Sequence, residues 1–321
     1  MRLRTWIVAA VTVGLACSDN FDPISKVKSL RVIAVEADPP YASAGSSPDL
    51  ALTFVDALGP RDIQLTWFRP CTLPGQASYL ACLPGLDPQS TYTLGAQSSG
   101  VPASVKLSVS IPNALPPGDY ANTFVFFALC AGTLERSATA GDGGTDFPYT
   151  CKDANGQTRA ATDFVAGYTQ LFSFRDGRTN ANPPSRGISV DGDAFGEAVS
   201  PTIAKCDAAS TPSQGCGAPP QGAAACTTAT IGLRVDDVAE LDGSSNAAGT
   251  PQREVLWVDY FTDAGSFSDD RKVVSRADTG LVADNGVKWT PPSTPGAVHF
   301  WAVLHDSRGG ISVARRQIIV Q

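Results

Sequence analysis

The chain has 321 residues, of which 17% are charged, with a formal net charge of −7 at pH 7, eight cysteines, 30 glycines and 24 prolines. An acidic balance without a basic stripe excludes an electrostatic case for nucleic acid, and it argues equally against adhesion to anionic lipid by charge. Sparse charge with abundant Gly and Pro predicts a loop-rich, all-β protein of about two domains.

The N-terminus sets the compartment. Arg2 and Arg4 precede an apolar run over residues 6–15, broken only by Thr12 and Gly14, and Ala16-Cys17 follows. A charged start and a short apolar stretch form a signal peptide pattern, here residues 1–16. A spanning helix needs about 20 apolar residues and this run is roughly half that, so a retained helical anchor is not expected. The segment Gly14-Leu15-Ala16-Cys17 resembles a lipobox. That resemblance implies cleavage before Cys17 and attachment of diacylglycerol with palmitate-type chains to its sulfur. Ser18, in the place where Asp marks inner-membrane retention, implies sorting to the outer membrane. Small residues at 14 and 16 also suit an ordinary signal peptidase, which would leave Cys17 as a free thiol. Residues 17–28 then read as a tether.

Strand signals begin at residues 30–37, closed by Pro39-Pro40, and continue at 50–55 and 63–68. Over residues 105–111, Val105, Leu107, Val109 and Ile111 alternate with Lys106, Ser108 and Ser110, the period of a half-buried strand. Residues 123–130 are almost continuously apolar and rich in Phe and Val, which suits a central strand. Residues 131–229 are poor in strand signal. Within them 180–186, Asn-Ala-Asn-Pro-Pro-Ser-Arg, read as an interdomain linker, and 187–190 as the opening strand of a second domain. Strand signals resume at 231–235, 255–260, 272–275, 287–289, 298–305 and 311–320. The domains predicted are thus 29–179, with a loop-rich extension, and 187–321, with a Cys-rich insertion at 200–228.

An exported chain is expected to pair its cysteines. Cys71 with Cys82 and Cys130 with Cys151 are the natural local closures, each worth about 3 kcal/mol if unstrained. Cys206, Cys216 and Cys226 then leave one thiol over. No C-x-x-C occurs, and His299 and His305 are too few and too distant to complete a zinc pattern, so a disulfide is expected here and no metal.

The two halves carry a weak internal repeat. Trp67 and Trp257 each sit late in an apolar strand, and each is followed downstream by a Pro-Gly turn, a long apolar strand and a Gly turn. In the second half, Trp257, Asp263-Ala264-Gly265, Trp289-Thr290-Pro291-Pro292, Pro295-Gly296 and Asp306-Ser307-Arg308-Gly309-Gly310 resemble immunoglobulin-like domains of the polycystic-kidney-disease-repeat kind. With the cysteine-led start and Leu30-Arg31-Val32, the chain also resembles uncharacterised lipoproteins of myxobacteria-like Gram-negative bacteria. Short strands separated by Pro, Gly, Asn and Asp clusters, together with the repeat, predict two β-sandwiches, and the resemblance, which covers about a third of the chain, implies that they are immunoglobulin-like. It lacks the usual intersheet disulfide, because Cys130 has no partner cysteine in the early strand.

Motifs for chemistry are absent. There is no G-x-S-x-G, no H-E-x-x-H, no P-loop and no dinucleotide fingerprint. His299 and His305 alternate with apolar residues and are expected on the outer face of their strand. Asp191, Asp193 and Glu197, and Asp236, Asp237 and Asp242, lie in glycine-containing loops without EF-hand order and read as turn residues rather than Ca²⁺ ligands. Trp67, Trp257 and Trp301 read as core or intersheet residues, with Trp301 on the face of the two histidines and a candidate for an aromatic patch that binds sugar or a partner strand. The expectation is a membrane-tethered, non-catalytic protein without cofactor that binds an envelope protein or a polysaccharide. The alternative is an exported hydrolase with its site in residues 131–229.

Overall fold

The computed structural model describes residues 24–95, 103–137, 146–193, 199–206, 226–236, 238, 240–245 and 249–321. The expected signal segment, Cys17, Glu197, Cys216 and Asp237 lie outside them, as does the side chain of Asp242. The strands of the first half are β1 (Arg31–Asp38), β2 (Asp49–Val55), β3 (Ile63–Phe68), β4 (Cys71–Pro74), β5 (Pro88–Leu94), β6 (Ala103–Ser108), β7 (Tyr120–Cys130), β8 (Thr133–Arg136), β9 (Tyr149–Lys152) and β10 (Phe164–Phe174). The second half contributes β11 (Ser185–Val190), β12 (Thr202–Ile203), β13 (Ala229–Val235), β14 (Glu240–Ser245), β15 (Pro251–Arg253), β16 (Leu256–Thr262), β17 (Ser266–Phe267), β18 (Arg271–Arg276), β19 (Gly280–Leu281), β20 (Val287–Thr290), β21 (Gly296–Asp306) and β22 (Ile311–Val320).

The all-β architecture of immunoglobulin-like sandwiches is the one observed. In the first sandwich a sheet in the order β1-β2-β6 faces a sheet in the order β10-β7-β3-β5, with β4 also on β7. Their inner faces meet around Leu50, Leu52, Phe54, Ile63, Leu65, Trp67, Val125 and Leu129. Period-2 alternation in β2 and β3 delivers these side chains to one side. In the second sandwich the sheet β11-β13-β20-β17 faces β12-β22-β21-β16-β18-β19. Its core gathers Ile231, Val258, Tyr260, Trp289, Phe300 and Leu304.

The internal repeat has a structural counterpart. The order β10-β7-β3 in one half matches β22-β21-β16 in the other, with the long apolar strand central in both. In the second half β21 passes to β22 through the short turn Ser307 to Gly310. In the first half the same connection is expanded to hold the β8–β9 hairpin. The expectation that residues 131–229 carry few strands is therefore corrected: β10 pairs with β7 over eleven consecutive residues, from Phe164 opposite Cys130 to Phe174 opposite Tyr120.

Disulfides fasten what covers the outer face of the β7 sheet. Cys71–Cys82 closes the loop bearing the 3-10 helix Tyr79–Gly85, and Cys130–Cys151 ties β7 to the β8–β9 hairpin. Beneath them Phe68, Leu83, Leu86, Phe124, Phe126 and Tyr149 make a second core. Phe68 and Thr66 are consequently as buried as the inward-facing residues of β3. The third bridge is Cys206–Cys226, across the Cys-rich insertion.

The two sandwiches share a fourth apolar cluster. Ile33, Ala34 and Val55 of the first pack on Trp301 and Val303 of the second, joined by Val27. A bulge between Val32 and Ala34 turns two successive β1 residues, Ile33 and Ala34, outward into this seam. The connecting chain is part of it. Asn182 donates from Nδ2 to the Ala37 carbonyl at 2.8 Å and accepts from the Ile311 amide at 2.9 Å, so one side chain spans both sandwiches. Residues expected to form a tether also dock: the Val27 amide donates to the Thr262 carbonyl, and the Thr262 amide donates to the Ser25 carbonyl, both at 2.8 Å. Ser25 and Val27 are buried by this pairing. Residues 25–27 thus belong to the second sandwich's sheet before the chain enters the first.

Candidate functional site

A cleft of about 410 Å³ opens along the seam. One wall comes from the first sandwich, with Phe172 and Phe174 at the end of β10 and Tyr41 from the loop after β1. The other comes from the second, with Trp257 of β16, His305 at the end of β21, and Arg308 in the following turn. Strand alternation places Phe172 and Phe174 on the same face, and their rings stack at 6.1 Å with 16° between planes. Tyr41 lies against Phe174 at 4.8 Å. It is held there because the Ala42 amide donates to the Phe172 carbonyl at 2.8 Å. Across the cleft Trp257 and His305, directly paired across β16 and β21, stack at 5.2 Å and 6°.

The Asp306 to Gly310 turn shapes the floor. Asp306 is buried and accepts from the Arg308 amide at 2.8 Å and the Gly310 amide at 2.7 Å through Oδ1, and from Asn180 Nδ2 at 2.9 Å through Oδ2. Gly309 takes φ +90°, and a Cβ at Gly310 would stand 2.3 Å from Asp306 Oδ2, so the turn requires both glycines.

The charges around the cleft are matched in pairs. Arg308 is paired with Glu254, and Arg178, lying over the Phe174 ring at 4.5 Å, is paired with Asp176. His305 Nε2 is 3.2 Å from Asp259, which also receives Arg271. Burial opposes ionisation of Asp259, but its hydrogen bonds from His305 and Arg271 outweigh that and hold its pKa below the ordinary carboxylate value. Burial pushes the Tyr41 hydroxyl in the opposite direction, with Arg308 pulling against it.

The expected site residues are distributed as follows. His299 and His305 lie on the outer face of β21, but that face is not open: Trp301, between them, is 1% exposed because the first sandwich covers it. The aromatic patch expected at Trp301 is corrected accordingly, and the half-buried tryptophan that reaches the cleft sits one strand over, at Trp257. His299 Nδ1 pairs with Asp263 Oδ2 at 2.7 Å. Among the described residues neither imidazole is hydrogen-bonded to a hydroxyl or thiol. Trp67 is fully buried in the first core. Asp191, at φ 52°, accepts from the Thr230 amide at 2.7 Å, and Asp236 pairs with Arg186. Among the described residues no group of three His, Cys, Asp or Glu side chains is placed to hold a metal ion, and no helix is long and apolar enough to cross a membrane. Sequence reasoning missed Tyr41, Phe172 and Phe174. The alternation of Tyr168, Gln170, Phe172 and Phe174 was the available signal.

No family model matches the chain, and no curated protein matches it. Solved structures with which it aligns include red sea bream transglutaminase, at 11% identity and a TM-score of 0.23 over 92% of this chain and 32% of that one. Others are the E. coli alpha-2-macroglobulin, at 8% and 0.26 over 91% and 17%, and latent PorU from Porphyromonas gingivalis, at 11% and 0.22 over 91% and 24%. The chain spans about a third or less of each of these proteins.

Proposed function

We propose that the protein is a membrane-tethered, non-catalytic lipoprotein of the cell envelope, anchored through Cys17, that presents its sandwiches to bind a protein or polysaccharide partner. The observation that carries this reading is the seam cleft, whose walls come from two sandwiches locked together and whose lining is aromatic with its charges already paired. A rigid concave surface of this kind favours binding, since little order has to be imposed on it when a partner arrives. Three disulfides support an oxidising compartment. The described part of residues 131–229 supplies the β8–β9 hairpin and the sheet strands β10, β11 and β12, a framework role that gives no support to a hydrolase site there.

Fractionation of the producing cell tests the reading. The protein should partition into the detergent phase with the envelope, and, immobilised there, should retain a component of the same envelope. Recovery in the aqueous phase, or turnover of a substrate without stable binding, would refute it.

A further inference from the structure

Resting on the binding function just proposed, we infer that the seam cleft is a carbohydrate subsite, taking a neutral pyranose unit between the Tyr41–Phe174 wall and the Trp257–His305 wall. Three observations narrow the ligand to this class.

The first is the lining. A pyranose has an apolar C–H face and a hydroxyl edge, and the cleft offers flat rings on opposite sides with polar groups between them. Among the described residues the hydroxyls of Tyr41 and Ser307 make no hydrogen bond within the protein, and both line the cleft. The volume of about 410 Å³ falls in the lower part of the range of ligand pockets, roughly 300 to 1,000 Å³, and suits a short glycan segment rather than a folded partner.

The second is charge. Arg308, Arg178 and His305 each face a carboxylate of the protein, and Asp306 is satisfied by three donors. An anionic ligand would stand beside these carboxylates and compete with them for their cations. A neutral one leaves every pair intact.

The third observation disfavours a peptide. An extended peptide binds most readily by adding a strand to a free sheet edge. At the cleft the β10 edge is already taken by the Ala42 amide on the Phe172 carbonyl, and the β22 edge by Asn182 on the Ile311 amide.

The experiment is calorimetric titration of the detergent-solubilised full chain with neutral gluco-, manno- and galacto-oligosaccharides, alongside an anionic oligogalacturonate. At least one neutral oligosaccharide should bind saturably. Trp257→Ala and Tyr41→Ala should each weaken it tenfold or more, Trp257→Phe should weaken it less than Trp257→Ala, and Tyr92→Ala on the distant strand β5 should leave it unchanged. Thermal melts of each variant exclude simple unfolding, and Tyr41→Phe, which keeps the ring, isolates the hydroxyl if Tyr41→Ala fails to fold. Preference for the anionic ligand, or neutral binding indifferent to the cleft variants, overturns the assignment. If no sugar binds but an envelope protein is retained, the carbohydrate assignment falls and the binding function stands. If nothing is retained, both fall.

Discussion

Asn180 Nδ2 lies 2.9 Å from Asp306 Oδ2, with both residues almost wholly buried where the connecting chain meets the turn after β21. Asp306 satisfies three donors at once, so Asp306→Ala strands all three, those of Asn180 and Gly310 buried and that of Arg308 part-buried. The expected cost is about 2–4 kcal/mol of folding stability, read from denaturant midpoints. Asp306→Asn should cost less than half of that. Its Oδ1 still accepts the Arg308 and Gly310 amides, and the Asn180 amide can turn to offer its Oδ1, which has no partner in the native arrangement.

Asn182 couples the sandwiches through two bonds from one side chain, to Ala37 and to Ile311. Asn182→Ala removes both, while the apolar contacts of Trp301 with Ile33 remain. A loss of about 1–2 kcal/mol is expected. Hydrogen exchange should locate it, with the Ile311 amide losing protection and the amides of β7 keeping theirs. Uniform loss of protection across both sandwiches would show instead that the seam and the cores unfold as one unit.

What was legible in the sequence follows from period and length. The run at β7 reads as a central strand because it is almost continuously apolar, and it is covered on both sides; β21 reads as two-faced, with His299 and His305 outward, yet Trp301 and Val303 on that outer face are covered as well. The patch expected at Trp301 rests on alternation, which separates two faces of a strand but does not say which of them another domain will cover. The unbroken apolar run from Phe300 to Leu304 was the available clue. Strand β10 escaped notice because Gly167 breaks its pattern. That glycine is dictated by packing, since a Cβ there would stand 2.8 Å from the Phe127 ring across the ladder. In the structure β10 stands to β7 as β22 stands to β21, which extends the internal repeat by one strand. The cleft was illegible for a different reason, as its walls come from residues more than 80 positions apart and no local pattern joins Tyr41 to Trp257.

Glu36 on β1 gives a pH dependence of definite sign. Burial raises its pKa above 4.5, with Asp38 adding to the shift and Lys106 opposing it. A carboxyl whose folded pKa is raised stabilises the fold below its unfolded pKa, and that contribution is lost as the pH rises through the folded value. At neutral pH the ionised group therefore works against folding. Glu36→Gln should raise stability at pH 7 by less than about 1 kcal/mol, the small size reflecting partial exposure. The gain should fade in melts recorded below pH 4.5. A gain that persists unchanged at low pH would assign the effect to packing rather than to charge.

Cysteine parity gives a test of the anchor that is independent of fractionation. Of eight cysteines, six form the bridges 71–82, 130–151 and 206–226, leaving Cys17 and Cys216. Lipid on Cys17 consumes one of these sulfurs and leaves Cys216 as a lone thiol. Alkylation under denaturing, non-reducing conditions should therefore label one position, Cys216, while the N-terminal peptide carries a diacylglycerol mass on Cys17. Two labelled positions would mean that an ordinary signal peptidase had left Cys17 free or that it was never processed. A linked 17–216 peptide would exclude lipid on that sulfur altogether. Removing a bridge is a separate matter: paired Ser substitutions at Cys130 and Cys151 should cost about 3 kcal/mol, because that bond closes 21 residues of chain and fastens the hairpin over the Phe124 and Phe126 face.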